Sequence, residues 1–478
     1  MDKMAETKPA SASRHGVTRR AAGHRLAVEL SETAKLALPM VLTHLGQVAM
    51  MTTDLAFIGR ISPEAVAAAA LAGRVYLVSL TFCLGLLAAI APLAAQAFGA
   101  GNLAVVRRSL RMGLWAALLL SLPIMAFALR GEKILLALGQ APHAAWLAQQ
   151  YLLGLAWGVA PALCLLAIRS FMGAVNRPEP VLWITLAATP VNAVLVYLLT
   201  YGKFGLPRLE LFGAGLATSL VNCGTLLAGL WFATMRHPFR DYHVFAHFWR
   251  FDWPLLRQLI VIGTPISIAS LIQSGLFSAA SLLAGLISTS ALAAHQIAFH
   301  VASILFMISS GISMAAAVRV GHAVGSNDGS GIKQAGLVAI LLGISIVAML
   351  TVAVITARFA IAELFFGESV ADSDGTIELA AKLLLVGASF FIANATQSIA
   401  EGGLRGLKDT RVPLLFAGIA YWLIGFSASY VLAFKTGLGA IGIWMGLSIG
   451  TTVCAGFLVL RFQLLANRLV LQGRDLTA

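Results

Sequence analysis

Charge is scarce in this chain. Asp, Glu, Lys and Arg make up only 11% of its 478 residues, where an average soluble domain carries about 25%. Hydrophobic residues reach 59% and the mean hydropathy is +0.87, which excludes an ordinary soluble globular protein and places the chain in lipid. Acidic residues are the scarcest group, 20 against 33 basic ones, and the net charge is +13. The basic residues are spread over short loops, with no basic stripe beside stacking aromatics, so the charge does not read as nucleic-acid binding. The four cysteines, Cys83, Cys164, Cys223 and Cys454, sit inside apolar runs without paired spacing. That pattern excludes a disulfide framework or a cysteine metal site and leaves small core residues. There is no GxxxxGK[ST] loop, so ATP is not a direct energy source. HExxH, GxSxG and CxxC are also missing, and neither an enzyme nor a cofactor is expected.

What the chain has is an internal repeat. Pro39, Gln47, Gly85 and Gly99 recur as Pro265, Gln273, Gly311 and Gly325, all at an offset of 226 residues. Between these anchors the register holds, so "EAVAAAAL" at 64–71 overlays "SALAAHQI" at 290–297. A duplicated, membrane-sized apolar block is the build of a secondary transporter, with the substrate path between the repeats. About 20 apolar residues cross a bilayer as a helix. Twelve such runs are expected, near 36–60, 75–98, 112–130, 147–169, 180–201, 212–233, 259–287, 291–320, 335–356, 380–404, 414–434 and 440–464. The fold class is therefore an all-α membrane protein of two pseudo-symmetric six-helix bundles. Its expected divisions are a disordered cytoplasmic tail at 1–33, a first lobe at 34–233, a cytoplasmic connector at 234–257, a second lobe at 258–467 and a tail at 468–478.

The connector carries His237, His243 and His247 among Trp, Phe and Arg. It reads as an amphipathic segment at headgroup level rather than a metal cluster. Orientation follows from the Lys/Arg bias. Placing both termini and the even loops in the cytoplasm collects most of the 33 Lys and Arg there, and leaves the acidic stretch 363–378 on the opposite side. With six spans per half, the repeats enter the membrane in the same direction.

Carboxylates inside spans are expensive unless they face a cavity or a partner, so each is a functional candidate. Two qualify: Asp54 in the first span and Glu401 in the tenth. In "HLGQVAMMTTDLAFIG", Gln47 and Asp54 lie seven residues apart on one helix face. A carboxyl held there can take up and release a proton. Asn394, Gln397 and Glu401 form a second polar stripe, expected to face a water-filled cavity, although Glu401 could also simply pair with Arg405 one turn on. Asn192, two residues after Pro190, could hydrogen-bond Asp54 across the first bundle. His44, His295 and His300 also fall in spans. An intramembrane histidine is more often a packing residue than a proton relay, and His300 is the one assigned to the cavity wall.

Four segments carry a resemblance: "LALPMVLTHLGQVAMMTTDLAFIGR" (36–60), "APLAAQAFGAGN" (91–102), "HQIAFHVASILFMISSGISMAAAVRVGHAVG" (295–325) and "EGGLRGLKDTRVP" (401–413). The last has a degenerate partner, "SFMGAVNRPEP", at 170–180. In this order and spacing the chain resembles the multidrug and toxic compound extrusion (MATE) transporters of the NorM-like branch, over roughly 30–467. The resemblance implies two six-helix lobes forming a V around a central cavity. It implies export of cationic amphipathic drugs or dyes in exchange for H+ or Na+, by a monomer in the lipid bilayer of a bacterial inner membrane. It assigns the coupling ion to Asp54 and Asn192; Glu401 is a further candidate from its place in the tenth span, and the residues expected on the cavity wall are Gln47, Gln273, Asn394, Gln397 and His300. One departure stands out. Where the branch usually has a glutamate in the seventh helix and an aspartate in the tenth, this chain has Gln273 and Asn394. Amides supply no charge and carry no proton, which favours H+ over Na+. Export of a specific metabolite, such as an organic acid or siderophore, and lipid-linked flipping are the rival expectations.

Overall fold

The computed structural model describes residues 11–475, apart from 206, 238, 244–247 and 367–372. The first half comprises α1 (Ser11–Gly59), α2 (Pro63–Ala88), α3 (Ile90–Gly99), α4 (Leu103–Leu129), α5 (Gly131–Ala137), α6 (Pro142–Ala156), α7 (Val159–Ala174), α8 (Glu179–Tyr201) and α9 (Glu210–Met235). The second half comprises α10 (Trp253–Ile287), α11 (Thr289–Gly325), α12 (Gly329–Thr356), α13 (Arg358–Phe366), α14 (Ser373–Gly406), α15 (Arg411–Ala417), α16 (Ser427–Tyr430) and α17 (Gly439–Asp475). Two π-helical stretches, Gly418–Phe426 and Val431–Lys435, flank α16 and complete that span. Among the described residues, eleven helical stretches are long and apolar enough to cross a membrane, and α6 with α7, bent by 49°, makes a twelfth. All twelve fall where the apolar runs place them. Leu77, Leu122, Leu227, Leu286 and Met349 stand exposed on the outside, as helices in lipid require.

The helices at the two ends of the chain run beyond the expected spans. Residues 11–33, expected to be a disordered tail, form the start of α1, and residues 1–10 lie outside the described residues. No proline interrupts the sequence between Pro9 and Pro39, and Ala, Leu, Glu, Lys and Arg favour helix. Glu29 is fixed there by Arg319 from the second lobe, at 2.5 Å. The tail expected from 468 likewise continues α17 as far as Asp475. The connector is part helix as well: α10 starts inside it at Trp253, capped by Asp252, whose carboxylate also pairs with Arg108 of α4 at 3.1 Å. Trp115 stacks on Phe248 with ring centroids 5.6 Å apart, docking the connector on the first lobe. Among its histidines, His237 meets Asp241, and His247 lies outside the described residues.

Close approaches between the lobes gather near one end of the molecule, and they obey the 226-residue repeat. Gly85 of α2 lies against the Ser267 backbone of α10, and its repeat mate Gly311 of α11 lies against the Val41 backbone of α1. Gly99 faces the His322 carbonyl and Gly325 faces the Gln96 carbonyl; a Cβ at either site would stand 2.2 or 2.1 Å from oxygen. Only glycine permits these crossings. Gln96 and His322 are repeat mates too. Gln96 Nε2 donates to the Gly406 carbonyl at 2.8 Å, and His322 Nε2 donates to that of Ala174 at 2.6 Å. All these residues lie towards the end where α3, α7, α11 and α14 finish and where α1 and α10 enter. Towards the other end, the first lobe has its own core of Ile58, Ala65, Ala68, Leu135, Leu152, Val196 and Leu211, to which, among the described residues, the second lobe contributes no buried residue. The two lobes thus clasp at the end of the connector and part towards the other, leaving a cleft between them.

Candidate functional site in the cleft and first lobe

Polar residues of α1 build the first-lobe site because the helix is otherwise apolar. Leu36, Ala37 and Met40 are buried in the core shared with the second lobe. Continuing that stripe by helical periodicity leads to His44, Gln47, Met51 and Asp54. Above Met40 the lobes diverge, and Gln47 and Met51 are exposed. Asp54 turns inward and is 7% exposed. Its Oδ1 accepts a hydrogen bond from Asn192 Nδ2 of α8, as the sequence suggests, and its Oδ2 accepts one from Thr218 Oγ1 of α9 at 3.2 Å. Asn192 is itself fully buried. Asp54 therefore sits among neutral donors, and among the described residues no cation forms an ion pair with it. Its mate in the second lobe is Ala280, also buried, so the arrangement exists once.

Sequence reasoning missed Thr218 and Arg169. Thr218 is one of several hydroxyls on α9, and such hydroxyls ordinarily return their single proton to a backbone carbonyl; here the Ala214 carbonyl, also at 3.2 Å, is the alternative acceptor to Asp54. Arg169 closes the fourth apolar run and reads as a flanking charge. In the fold it lies within α7 and reaches α1, donating from Nη1 to Gln47 at 3.1 Å and from Nη2 to His44 Nε2 at 2.9 Å.

The second-lobe residues fall into two groups. Gln273 Nε2 of α10 approaches Asn394 Oδ1 of α14 at 3.4 Å, so the two amides do meet. They line a cavity of about 160 Å³ with Phe277, Phe299, Phe306 and Phe390. Gln397 does not face water: it is 1% exposed and donates to Glu401 Oε1 at 3.1 Å. Glu401 is engaged on its other oxygen by Arg405 at 3.0 Å, the local ion pair that the sequence permits. The lower part of the expected stripe is thus lobe interior, because helix packing closes over it. His300 is exposed, with its ring 5.7 Å from that of Phe365. His295 is buried and fixed by two partners: Trp444 Nε1 donates to Nδ1 at 3.1 Å and Ser281 Oγ lies 3.1 Å from Nε2. Indole nitrogen is only a donor, so Nδ1 carries no proton and the ring is held neutral as a packing residue.

A duplicated bundle of twelve spans, clasped at one end around a cleft with a buried carboxylate in one lobe, has the build of a multi-pass secondary transporter. Comparison with known proteins agrees. A family model described as MatE matches residues 39–198 and 265–431, one block in each half. A probable multidrug resistance protein NorM of Bradyrhizobium diazoefficiens is 62% identical over 447 residues, covering 94% of this chain and 96% of the relative. Another of that name from Rhodopseudomonas palustris is 52% identical over 466 residues, covering 97% and 98%. Among solved structures, the eukaryotic MATE transporter AtDTX14 aligns with a TM-score of 0.81 at 18% identity, covering 94% of this chain and 99% of that one. A MATE multidrug resistance transporter in an outward-facing conformation also gives 0.81 at 18%, covering 92% and 96%. The chain belongs to the MATE family, with relatives in its NorM-named branch.

Proposed function

We propose that this protein is a multidrug efflux transporter that exports cationic amphipathic compounds by antiport, with H+ as the coupling ion and Asp54 as its carrier. The observation that supports the reading most is the neutral box around Asp54. Asn192 and Thr218 donate to the carboxylate from two other helices. Those donors stabilise the ionised form, while burial in an apolar lobe disfavours it. A carboxyl balanced in this way can release its proton when the site is hydrated and regain it when it is not. Binding of a cation favours ionised Asp54, and protonation from the outside favours release of the cation.

The second lobe supports H+ over Na+. Dehydrating Na+ in a lobe interior calls for compensating negative charge, and the pair facing the cavity is Gln273 with Asn394, both neutral. Glu401 is already occupied by Arg405. In this reading both termini and the connector lie in the cytoplasm of a bacterial inner membrane, and the clasped end faces the cytoplasm. The cleft then opens outward. The protein acts as a monomer, since the cleft lies between lobes of one chain.

One charge falling through roughly 150 mV releases about 3.5 kcal/mol, which would drive export of a neutral compound. For a monovalent cation exchanged one for one with H+, the electrical terms cancel and the pH gradient alone drives export. The test is efflux of a cationic dye from vesicles under an imposed pH gradient or an imposed Na+ gradient, each applied separately. Transport that follows the pH gradient without Na+ is expected. Transport that needs Na+ and survives collapse of the pH gradient would overturn H+ coupling and return attention to Gln273, Asn394 and Glu401.

A further inference from the structure

The sequence shows no basic stripe, but docking of the connector gathers one. Arg107, Arg108 and Arg111 lie in the first turns of α4, and Arg250 is brought to them by the connector. Arg111 is buried and lies in the electric field of the other three. The carboxylate that acts on it is Asp252. That carboxylate is already engaged, since it pairs with Arg108 at 3.1 Å and caps α10. Among the described residues neither Arg107 nor Arg250 forms an ion pair. Four cations therefore share one acid at the end of a span. Their mutual repulsion calls for an external anion.

Aromatic contacts, rather than charge, hold the cluster together. Trp115 Nε1 donates to the Phe248 carbonyl at 3.1 Å, and the Trp115 ring lies 6.1 Å from the rings of Trp249 and Phe251. The second repeat has no such cluster. Asn102 and Asp328 cap α4 and α12 and are repeat mates. In that register Arg107, Arg108 and Arg111 are replaced by Lys333, Gln334 and Leu337. The fold of a lobe thus does not require these arginines. They occur only where the connector lies.

The surroundings identify the anion's source. Trp249 is 83% exposed, and Phe251 and Trp253 are exposed beside it. Exposed tryptophans next to arginines at the end of a span stand at headgroup level. Basic pockets of this kind between spans take anionic headgroups. We propose that the start of α4 and the connector form a binding site for an anionic phospholipid of the leaflet at the clasped end. Its phosphate is held by Arg107, Arg108 and Arg250, and its acyl chains lie along Trp249, Phe251 and Trp253. Arg111 adds positive charge from behind. The site joins α4 of the first lobe to the chain entering α10 of the second, so a bound lipid favours the docked connector.

The test titrates the purified full chain in detergent with cardiolipin, which carries two phosphates, or with phosphatidylcholine, which has no net charge. Bound lipid is counted by native mass spectrometry. Arg107→Gln with Arg250→Gln removes two of the proposed contacts and leaves the Arg108–Asp252 pair intact. Arg177→Gln with Lys333→Gln removes two exposed charges from the same end and is the control. The wild type should bind its first cardiolipin at least about tenfold more tightly than phosphatidylcholine, and the first double variant should lose at least about tenfold of that affinity. The control should stay within about threefold of the wild type. Inorganic phosphate at the same concentration as the lipid should not displace cardiolipin, because it has no acyl chains. Unchanged cardiolipin binding in the first double variant would overturn the proposal. Equal losses in the two double variants would also overturn it, since they mark a general surface field. Displacement by inorganic phosphate would mark a site for a soluble anion and overturn it as well.

Discussion

Adding one methyl group to Gly325 should tip the balance between the two states of the cleft. In the clasped structure a Cβ at this position would stand 2.1 Å from the Gln96 carbonyl oxygen and 2.8 Å from the Ala100 nitrogen. A carbon and a carbonyl oxygen settle at about 3.3 Å or more, so α3 and α11 must part by about 1 Å. Both obstacles are backbone, and no rotamer can relieve them. Overpacking of this kind costs about 1–3 kcal/mol. The cost falls only on the state in which the helices cross, so Gly325→Ala should shift the population away from it by about 5–150-fold. Gly224→Ala is the control, since Gly224 lies in α9 with nothing within 4 Å of a Cβ. Spin labels at the exposed positions Arg177 and Lys333, on opposite lobes, report the separation by double electron–electron resonance. A longer-distance component is expected in Gly325→Ala and not in Gly224→Ala. An unchanged distance distribution in a folded Gly325→Ala protein would refute the reasoning.

Gly99→Ala should behave like Gly325→Ala in the same assay, because its Cβ would stand 2.2 Å from the His322 carbonyl oxygen by the same symmetry. Arg405→Gln should lower the thermal stability of the purified protein by about 1–3 kcal/mol, because it leaves Glu401 without its ion pair, and adding Glu401→Gln should recover part of the loss; a single variant as stable as the wild type would show the pair to be idle. A cysteine placed at Glu363 should react with an impermeant thiol reagent applied from outside the cell, and one placed at Lys333 should not; the reverse pattern would invert the proposed orientation.

The spans were legible because each is a long apolar run, and the repeat because Pro39, Gly85 and Gly99 recur with their spacing intact. Asp54 and Asn192 stood out as isolated polar residues in apolar helices, and the structure joins them. Thr218 was hidden because a helical hydroxyl can satisfy itself on the turn before it. Arg169 was hidden because a basic residue at the edge of an apolar run looks like a headgroup anchor. What separates the two cases is which helix the side chain reaches, and that is a property of packing. The division of the polar stripe on α14, with Asn394 on a cavity and Gln397 in the core, is also invisible to periodicity. It depends on Phe277, Phe390 and Tyr421, which come from three different helices. The stretch 11–33 reads as polar and basic in sequence, yet without proline it continues α1 as helix.

The central claim is that Asp54 exchanges its proton for the cationic substrate. It is tested most directly by measuring proton release when a cationic dye binds to the purified protein in weakly buffered solution. The wild type should release up to one proton per dye bound, and Asp54→Asn, which keeps the hydrogen-bonding shape without a titrating group, should release none. Proton release of the same size from Asp54→Asn, or dye binding by the wild type with no proton released at any pH, would contradict the account.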